Sequence, residues 1–504
     1  MKDVSKTNKS KIVILAVILL VVLITIGIFA AVHFTQVPKE MQYKVETVEA
    51  KSKDKIKVGI LSDVQLPQLE KHLYAWDYTT VANGADHLIK ALNYFKTQNV
   101  DMVILNGDIV NAVGDYAGYS AYNKVIDNVY GEDRSDTPHF IYPMGNHEFY
   151  GASQEHQFFK ATNLPLNART IINGYSFISI ANSKVEKKDE ELAQINGTLP
   201  DGTYNAQRIA FLKNQLTQAA KEAPEQPIFV FLHMPIDDSI AGGHWATPQF
   251  EEIYTILQNY PQAVVFTSHS HYCLSDERSV VQKDFTMVNT GTTSYFDFDW
   301  LKQEDIPKDI SIKDFLSGNH ASLKNKDYLI NPELLGIEKS DDVPFRSEVN
   351  NGLILDVDVE KNAFTLDKVN FNFGVKFGER FTMNLYNKNS FTRTALLLGK
   401  GKMPFFDNQS ISVQLDDDRV VLTFGAANQS VPSKYYLYEL IDEIGRTTYI
   451  RHFAKNYILG YDTDYTEQHV LRGLNEGKYT LRVFAVNSFG LTSETFLSDT
   501  FTVS

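Results

Sequence analysis

The chain has one cysteine, Cys273, in 504 residues. No internal disulfide can form, so stability outside a reducing compartment has to come from core size, which this length can supply. Positive charge is also scarce, with 48 Lys and Arg against 62 Asp and Glu and a net charge of −14. That balance argues against a nucleic-acid-binding surface. Long apolar runs are absent but for one: residues 12–32 are apolar, softened only by Thr25 and Gly27. At ~1.5 Å per residue this run reaches ~30 Å, enough to cross a hydrocarbon core, whereas a signal peptide has an apolar region of roughly 7 to 15 residues. Ala30 and Ala31 leave cleavage open, but no clear small-x-small signal precedes the polar segment and no lipobox-type cysteine is present, so the run reads as an uncleaved anchor. Lys2, Lys6, Lys9 and Lys11 precede it against Asp3 alone. The positive-inside rule then places residues 1–11 in the cytoplasm and everything after Val32 outside.

What the rest of the chain does have is one repeated arrangement, an apolar strand that stops in Asp, Asn, Gln or His. The run Asp101 to Leu105 ends in Asn106-Gly107-Asp108, and Lys57 to Leu61 ends in Ser62-Asp63-Val64-Gln65. His139 to Tyr142 ends in Pro143-Met144-Gly145-Asn146-His147-Glu148, Pro227 to Leu232 in His233, and Ala263 to Thr267 in Ser268-His269-Ser270-His271. These are the residue types that hold divalent cations through oxygen and imidazole nitrogen. Open α/β sheets bind ligands outside the carboxyl ends of their strands, so the tips are expected to converge on one crevice and form a metal site.

Helical periodicity fills the intervals. Ala85, Leu88, Ile89, Leu92 and Phe95 share one face, and Ala206 to Lys221 and Phe250 to Tyr260 have the same character. The segments Lys184 to Tyr204 and Leu301 to Glu348 are polar excursions, read as solvated loops or caps over a site. After Gly352 the pattern changes to alternating strands at 353–357, 364–366 and 369–373, expected to complete a second, mostly antiparallel sheet. The organisation expected is therefore a cytoplasmic segment 1–11, a membrane helix 12–32, a tether 33–55, an α/β domain 56–398, and an all-β module 405–504. Within that module Leu474 to Gly490 resembles the late-strand signature of fibronectin type III modules, with Tyr479, Leu481, Val483 and Ala485 on one face. Phe424 stands in for the tryptophan often found early in such modules.

Taken together, Asp-x-Gln, Gly-Asp, Gly-Asn-His-Glu, His and His-x-His, in that order, resemble the calcineurin-like metallophosphoesterase superfamily over about 330 residues. The resemblance implies a four-layer αββα sandwich and a binuclear centre. On the family pattern Asp63, Gln65, Asp108 and His271 hold one metal, and Asp108 bridges to a second completed by Asn146, His233 and His269. His147 remains unligated beside them as the catalytic acid or transition-state stabiliser. Two divalent ions, Mn²⁺ foremost with Fe, Zn or Mg as alternatives, would activate a bridging hydroxide against phosphorus.

Gln65 stands where the family usually has histidine, and its amide oxygen favours harder ions. Asn111 stands where many relatives carry an aspartate that orients the catalytic histidine, so the tautomer control of His147 is left open. Ser268 replaces a glycine, which requires that no positive φ be needed there. His244 reads as structural or exposed although it lies close enough to the His233 loop to touch substrate, Tyr150 reads as a packing residue beside the motif with substrate contact as the alternative, and Cys273 reads as a buried strand residue. The expectation is a membrane-anchored, extracytoplasmic phosphoesterase with a cell-surface or envelope partner for its terminal module. The competing expectation is a surface binding protein whose phosphatase-like domain has lost turnover through Gln65.

Overall fold

The computed structural model describes residues 37–66, 84–111, 117–149, 154–185, 187–196, 202–237, 240–243, 246–296, 349–382, 391–394, 403–416, 419–428, 433–460 and 466–504. The expected membrane helix 12–32 and its cytoplasmic flank, the excursion 301–348, Tyr150 and His244 lie outside the described residues. Among the described residues no helix is long and apolar enough to cross a membrane.

The strands of the α/β region are β1 Tyr43–Val48, β2 Lys55–Leu61, β3 Met102–Leu105, β4 His139–Ile141, β5 Asn167–Ile172, β6 Tyr175–Ser179, β7 Ile228–Phe231, β8 Ala263–Thr267, β9 Val280–Gln282, β10 Thr286–Asn289, β11 Asn351–Asp358, β12 Ala363–Asn370 and β13 Val375–Thr382. They form two sheets, ordered β1-β5-β6-β7-β8-β10-β9 and β13-β12-β11-β2-β3-β4. Strands β3, β7 and β8 are buried along their whole length, which is why they read as continuous apolar runs rather than alternating ones.

Three apolar clusters order these elements. One joins the helices α1 Gly84–Thr97, α2 Ala117–Tyr130 and α3 Gln154–Thr162 to β3, through Leu88, Leu92, Phe95, Tyr119, Tyr122, Phe158, Val103 and Leu105. A second lies between the sheets, where Val58, Ile60, Ile104 and Leu355 meet Phe177, Phe229, Phe231 and Phe266. The third packs Leu212 and Leu216 of Ala206–Glu222 and Ile253 and Leu257 of Phe250–Leu257 against Val230 and Val265. The spacing of Ile209, Leu212, Leu216 and Ala219 supplies the buried stripe of that long helix. Asn205 caps its start by accepting from Arg208 N at 3.0 Å.

Four expectations change. The five tipped strands do not share one sheet: β2, β3 and β4 lie in one, β7 and β8 in the other, and the tips meet across the interface. The strands after Gly352 do not build a separate sheet, because β11 pairs antiparallel with β2 and extends the sheet already there. Residues 369–373 are not one strand: Val369 and Asn370 finish β12, and a turn through Gly374 (φ 65°) opens β13. Finally, residues 43–48 of the expected tether form the parallel edge strand β1 against β5. Val37 is buried and Met41 packs on the first cluster. A fragment starting at Val37 should therefore melt several degrees above one starting at Lys55, which lacks the edge strand. Equal melting temperatures in differential scanning calorimetry would show that β1 adds nothing.

The C-terminal region forms β14 Ile411–Asp416, β15 Arg419–Gly425, β16 Ser433–Asp442, β17 Thr447–Phe453, the short helix Lys455–Leu459, β18 Thr466–Arg472, β19 Gly477–Asn487 and β20 Leu497–Val503. Its two antiparallel sheets, β14-β15-β18 and β17-β16-β19-β20, enclose one core. Leu481, Val483 and Ala485 are fully buried in it, with Phe424 seated edge-on to Tyr436 at 5.0 Å.

Candidate metal centre

The loops that follow β2 and β3 are tied together by their own backbone. Asp63 N donates to Gly107 O (3.1 Å), Gln65 N to Asp108 O (2.9 Å) and Leu66 N to Ile109 O (2.8 Å). Asn106 then crosses to the other sheet, where its Nδ2 donates to Leu232 O and Ser268 Oγ, both at 3.1 Å. Its carbonyl accepts from His233 Nδ1 (2.8 Å) and Ser268 Oγ (2.7 Å). This one residue thus joins the tips of β3, β7 and β8. Sequence reasoning passed over it as part of Asn-Gly-Asp.

Glu148 likewise carries no sequence signal beyond ending its motif. It is fully buried, and Oε2 accepts from Asp108 N (2.9 Å) and Gly145 N (2.6 Å). Oε1 accepts from Ile109 N (2.7 Å), Val110 N (3.2 Å) and the Tyr142 hydroxyl (2.6 Å). Burial and the charge of Asp108 push its carboxyl upward. Every partner is a donor, however, so the ionised form is the one this cradle accommodates.

Asp63, Gln65, Asp108, Asn146, His233, His269 and His271 all reach one crevice. His233 Nε2 lies 3.0 Å from Asp108 Oδ2 and 3.1 Å from Asn146 Oδ1. The metal-binding atoms of Asp108, His233 and His269 fall within 4.8 Å of one another. On the other side His271 Nε2 lies 3.3 Å from Asp63 Oδ1, and the Gln65 amide approaches the same nitrogen at 3.2 Å. Asp63 Oδ1 and Asp108 Oδ2 are buried and face the inward imidazole nitrogens of His271 and His233. Two buried carboxylates set among imidazole and amide groups are oxygen and nitrogen donors of the kind divalent cations take, so the donor set fits divalent metal ions.

The histidine tautomers are set by main-chain carbonyls. His233 Nδ1 donates to Asn106 O, His271 Nδ1 to Tyr295 O (3.0 Å) and His147 Nδ1 to Asn111 O (2.5 Å). Each ring therefore turns Nε2 inward. Position 111 orients His147 through its backbone, which explains why an asparagine there is no obstacle. His147 N also donates to Asp108 Oδ1 (2.9 Å), and its Nε2 stands 3.9 Å from Asp108 Oδ2 with the ring partly exposed.

Asp63 (φ 53°), Gln65 (52°), Asp108 (54°), His269 (65°) and His271 (53°) all adopt the left-handed conformation. Such backbone costs on the order of 1 kcal/mol or more per residue and persists where the surroundings over-determine it. Alternating left-handed residues at 63 and 65 and at 269 and 271 turn both side chains of each pair toward the crevice. Ser268 has no positive φ, so the replaced glycine is no loss. Two other glycines are obligatory. A Cβ on Gly107 would lie 2.4 Å from His233 Nδ1, and one on Gly145 2.2 Å from Asp108 Oδ1. Cys273 is buried as expected, but in the loop after His271 rather than in a strand. Tyr295, whose ring stacks on His271 at 4.1 Å, lies in a stretch with no sequence pattern to single it out.

The electrostatics follow from burial. Desolvation pushes the Asp63 carboxyl up to about 8, with Asp108 adding to the shift. Asp108 itself is held low against its own burial, chiefly by the charge of His233. Burial alone would lower His233, but the Asp108 carboxylate beside it raises it to about 9. His271 is pushed well below the usual imidazole range by burial, so it presents a neutral ring.

Residues 56–273 match the model of the calcineurin-like phosphoesterase family. No curated protein matches the chain. Among solved structures, a dimetal phosphatase from Danio rerio is 12% identical, with 66% of this chain and 99% of that one covered and a TM-score of 0.40. A purple acid phosphatase from yellow lupin (Lupinus luteus) seeds is 13% identical, covering 66% of this chain and 54% of that one at a TM-score of 0.40. A Thermus thermophilus protein is 9% identical over 63% of this chain and 99% of that one, at 0.33. The family match and the geometry of the crevice, not these distant likenesses, carry the functional reading.

Proposed function

We propose, from the premise that residues 56–273 are a calcineurin-like phosphoesterase domain and that the chain is a phosphoester hydrolase, that it works as a binuclear, membrane-anchored, extracytoplasmic enzyme. The observation that carries the binuclear reading is Asp108, whose buried oxygen faces His233 and His269 while Asp63, Gln65 and His271 gather beside it. Asp63, Gln65, Asp108 and His271 would hold one metal; Asp108, Asn146, His233 and His269 would hold the other. Bound metals supply a water of lowered pKa and positive charge facing the phosphoryl oxygens. Mn²⁺ suits the mixture of carboxylate, amide and imidazole donors. The ordering of three apolar clusters supports the four-layer αββα arrangement, and the three-plus-four strand order supports a fibronectin III-like module. The anchor rests on the apolar run 12–32 and its lysine-rich flank.

The chain's own residues divide the work. Asn146 and the neutral His271 ring contribute no negative charge, which leaves the site able to accept an anion in an acidic protein. His147, held through Nδ1 by Asn111 O, offers its Nε2 proton to the departing alkoxide when the ring is doubly protonated. That Nε2 stands 3.9 Å from Asp108 Oδ2.

The test is Mn²⁺-dependent hydrolysis of a chromogenic phosphodiester by the chain from Val37 onward, with bound metal counted by elemental analysis. Turnover and two metals per chain are expected. Neither turnover nor metal with any divalent ion would leave only a surface-binding role. Replacing the weaker amide donor, Gln65→His, should tighten one Mn²⁺ site by about tenfold; an unchanged titration would place Gln65 outside the ligand set.

Metal binding should also release protons. In the metal-free protein Asp63 keeps its proton up to pH about 8 and His233 up to about 9, and both must lose it to offer an oxygen and Nε2. Protons therefore compete with the metal, and lowering the pH below about 8 should weaken apparent affinity by up to ~100-fold per unit. Calorimetric titration in two buffers of different ionisation enthalpy reads the protons released. A heat independent of the buffer would contradict the scheme.

A further inference from the structure

His271 sits between two loops, and the C-terminal module grips both. The first grip is polar. Five residues past His271, Asp276 is buried, and its Oδ2 accepts from the Tyr457 hydroxyl of the short helix Lys455–Leu459 at 2.9 Å. Asp276 also accepts from Arg278 Nε (2.9 Å) and Nη2 (2.8 Å), and Lys434 Nζ of β16 stands 3.9 Å away. Lys434 lies over the rings of both Tyr272 and Tyr457, at 5.7 and 5.8 Å. Ser275 Oγ donates to Asn456 O in the same helix. The turn is closed by Asp276 N donating to Cys273 O (3.0 Å), so holding Asp276 holds the chain running back through Cys273 and Tyr272 to His271.

The second grip is apolar. Phe453, the last residue of β17, meets Phe296 edge-on at 5.5 Å. Its neighbour Tyr295 is the residue that both stacks on the His271 ring and accepts its Nδ1 proton. Cys273, Phe296 and Val349 belong to the same buried cluster as the module's own core. Gly460, which ends the short helix, leaves so little space that a Cβ there would meet Phe377 of β13 at 2.7 Å. The module is therefore docked on the phosphoesterase domain by a continuous core.

We infer that the C-terminal module is part of the catalytic unit: Tyr457 and Phe453 are positioning residues that set the orientation of His271 in its metal site. This rests on the binuclear reading above. Both contacts act on one ligand from opposite sides, the Asp276 loop fixing its main chain and Tyr295 its ring. Outer contacts of this kind typically change metal affinity by 10–100-fold. The other half of the centre, His233, is oriented by Asn106 and Ser268, with no residue of the module among its partners given above.

The experiment is a Mn²⁺ titration of the full chain, following free Mn²⁺ by electron paramagnetic resonance. It compares the native chain with Tyr457→Phe, the Tyr457→Phe/Phe453→Leu pair, His271→Ala and Phe501→Ala. Phe501 stacks on Tyr479 and lies on β20, the strand at the opposite edge of the sheet from β17, so its loss tests general weakening of the module. The expected result is two sites in the native chain, with the one that His271→Ala abolishes weakened about 10–100-fold in the pair and the other unchanged. Phe501→Ala should lower the melting temperature and leave both sites as they were. Unchanged affinities in the pair would overturn the inference, as would a parallel loss at both sites in the pair and in Phe501→Ala alike. Fewer than two sites in the native chain would instead remove the binuclear reading, and the inference with it.

Discussion

Asp108→Asn should lower kcat by roughly 10⁴-fold or more and leave at most one metal per chain, while the metal-free protein melts close to the native temperature. The carboxylate is the group proposed to serve both halves of the centre. Its Oδ2 faces His233, and Asp63 and His271 lie on the other side. An amide keeps the shape and the acceptor for His147 N but loses the charge that balances two cations. The effect on the fold is small. Without metals the Asp108 charge is balanced by the protonated His233 ring beside Oδ2, so the pair can be neutralised together at little cost to the fold. Removing the carboxylate charge would ordinarily strand the charge on His233, but burial favours the neutral ring, which sheds its proton instead. Elemental analysis, turnover and calorimetry together decide this. Native metal content in the variant would exclude Asp108 as the bridge.

Glu148→Gln should be the most damaging substitution outside the ligand set, costing about 3 kcal/mol or more and most of the activity. Four backbone N–H groups and the Tyr142 hydroxyl all donate to this carboxylate. An amide in the same place turns one acceptor into a donor facing other donors, in a site with no access to water. Asp108 N is one of the groups left unpaired, so the ligand loop itself loses its anchor. Urea unfolding reads the stability and the Mn²⁺ titration reads the loop. A variant that unfolds at the native midpoint would show that the cradle closes without the charge.

How much of this was legible in one dimension depended on how local each cause is. The strands β2, β3, β4, β7 and β8 and the helices beginning at Gly84 and Ala206 were visible because an apolar period is a property of neighbouring residues. The edge strand β1 was not, because its only warrant is a partner, β5, more than a hundred residues away. Phe424 could be singled out through the fibronectin-like resemblance, but Phe453 and Tyr457 could not be linked to His271, since nothing in their own neighbourhood refers to it.

The same division runs through the site. The residue types at the strand ends, and hence a metal-dependent chemistry, follow from the sequence alone, because ligand identity is chemical and the turn residues that carry it are contiguous. Which sheet each tip belongs to, the left-handed backbone that aims Asp63, Gln65, His269 and His271 inward, and the carbonyls of Asn106, Asn111 and Tyr295 that choose each imidazole's tautomer were decided only in three dimensions. The reason is physical: a carbonyl is present at every residue and so carries no signal in the sequence, and it gains a role only when folding brings a particular ring against it.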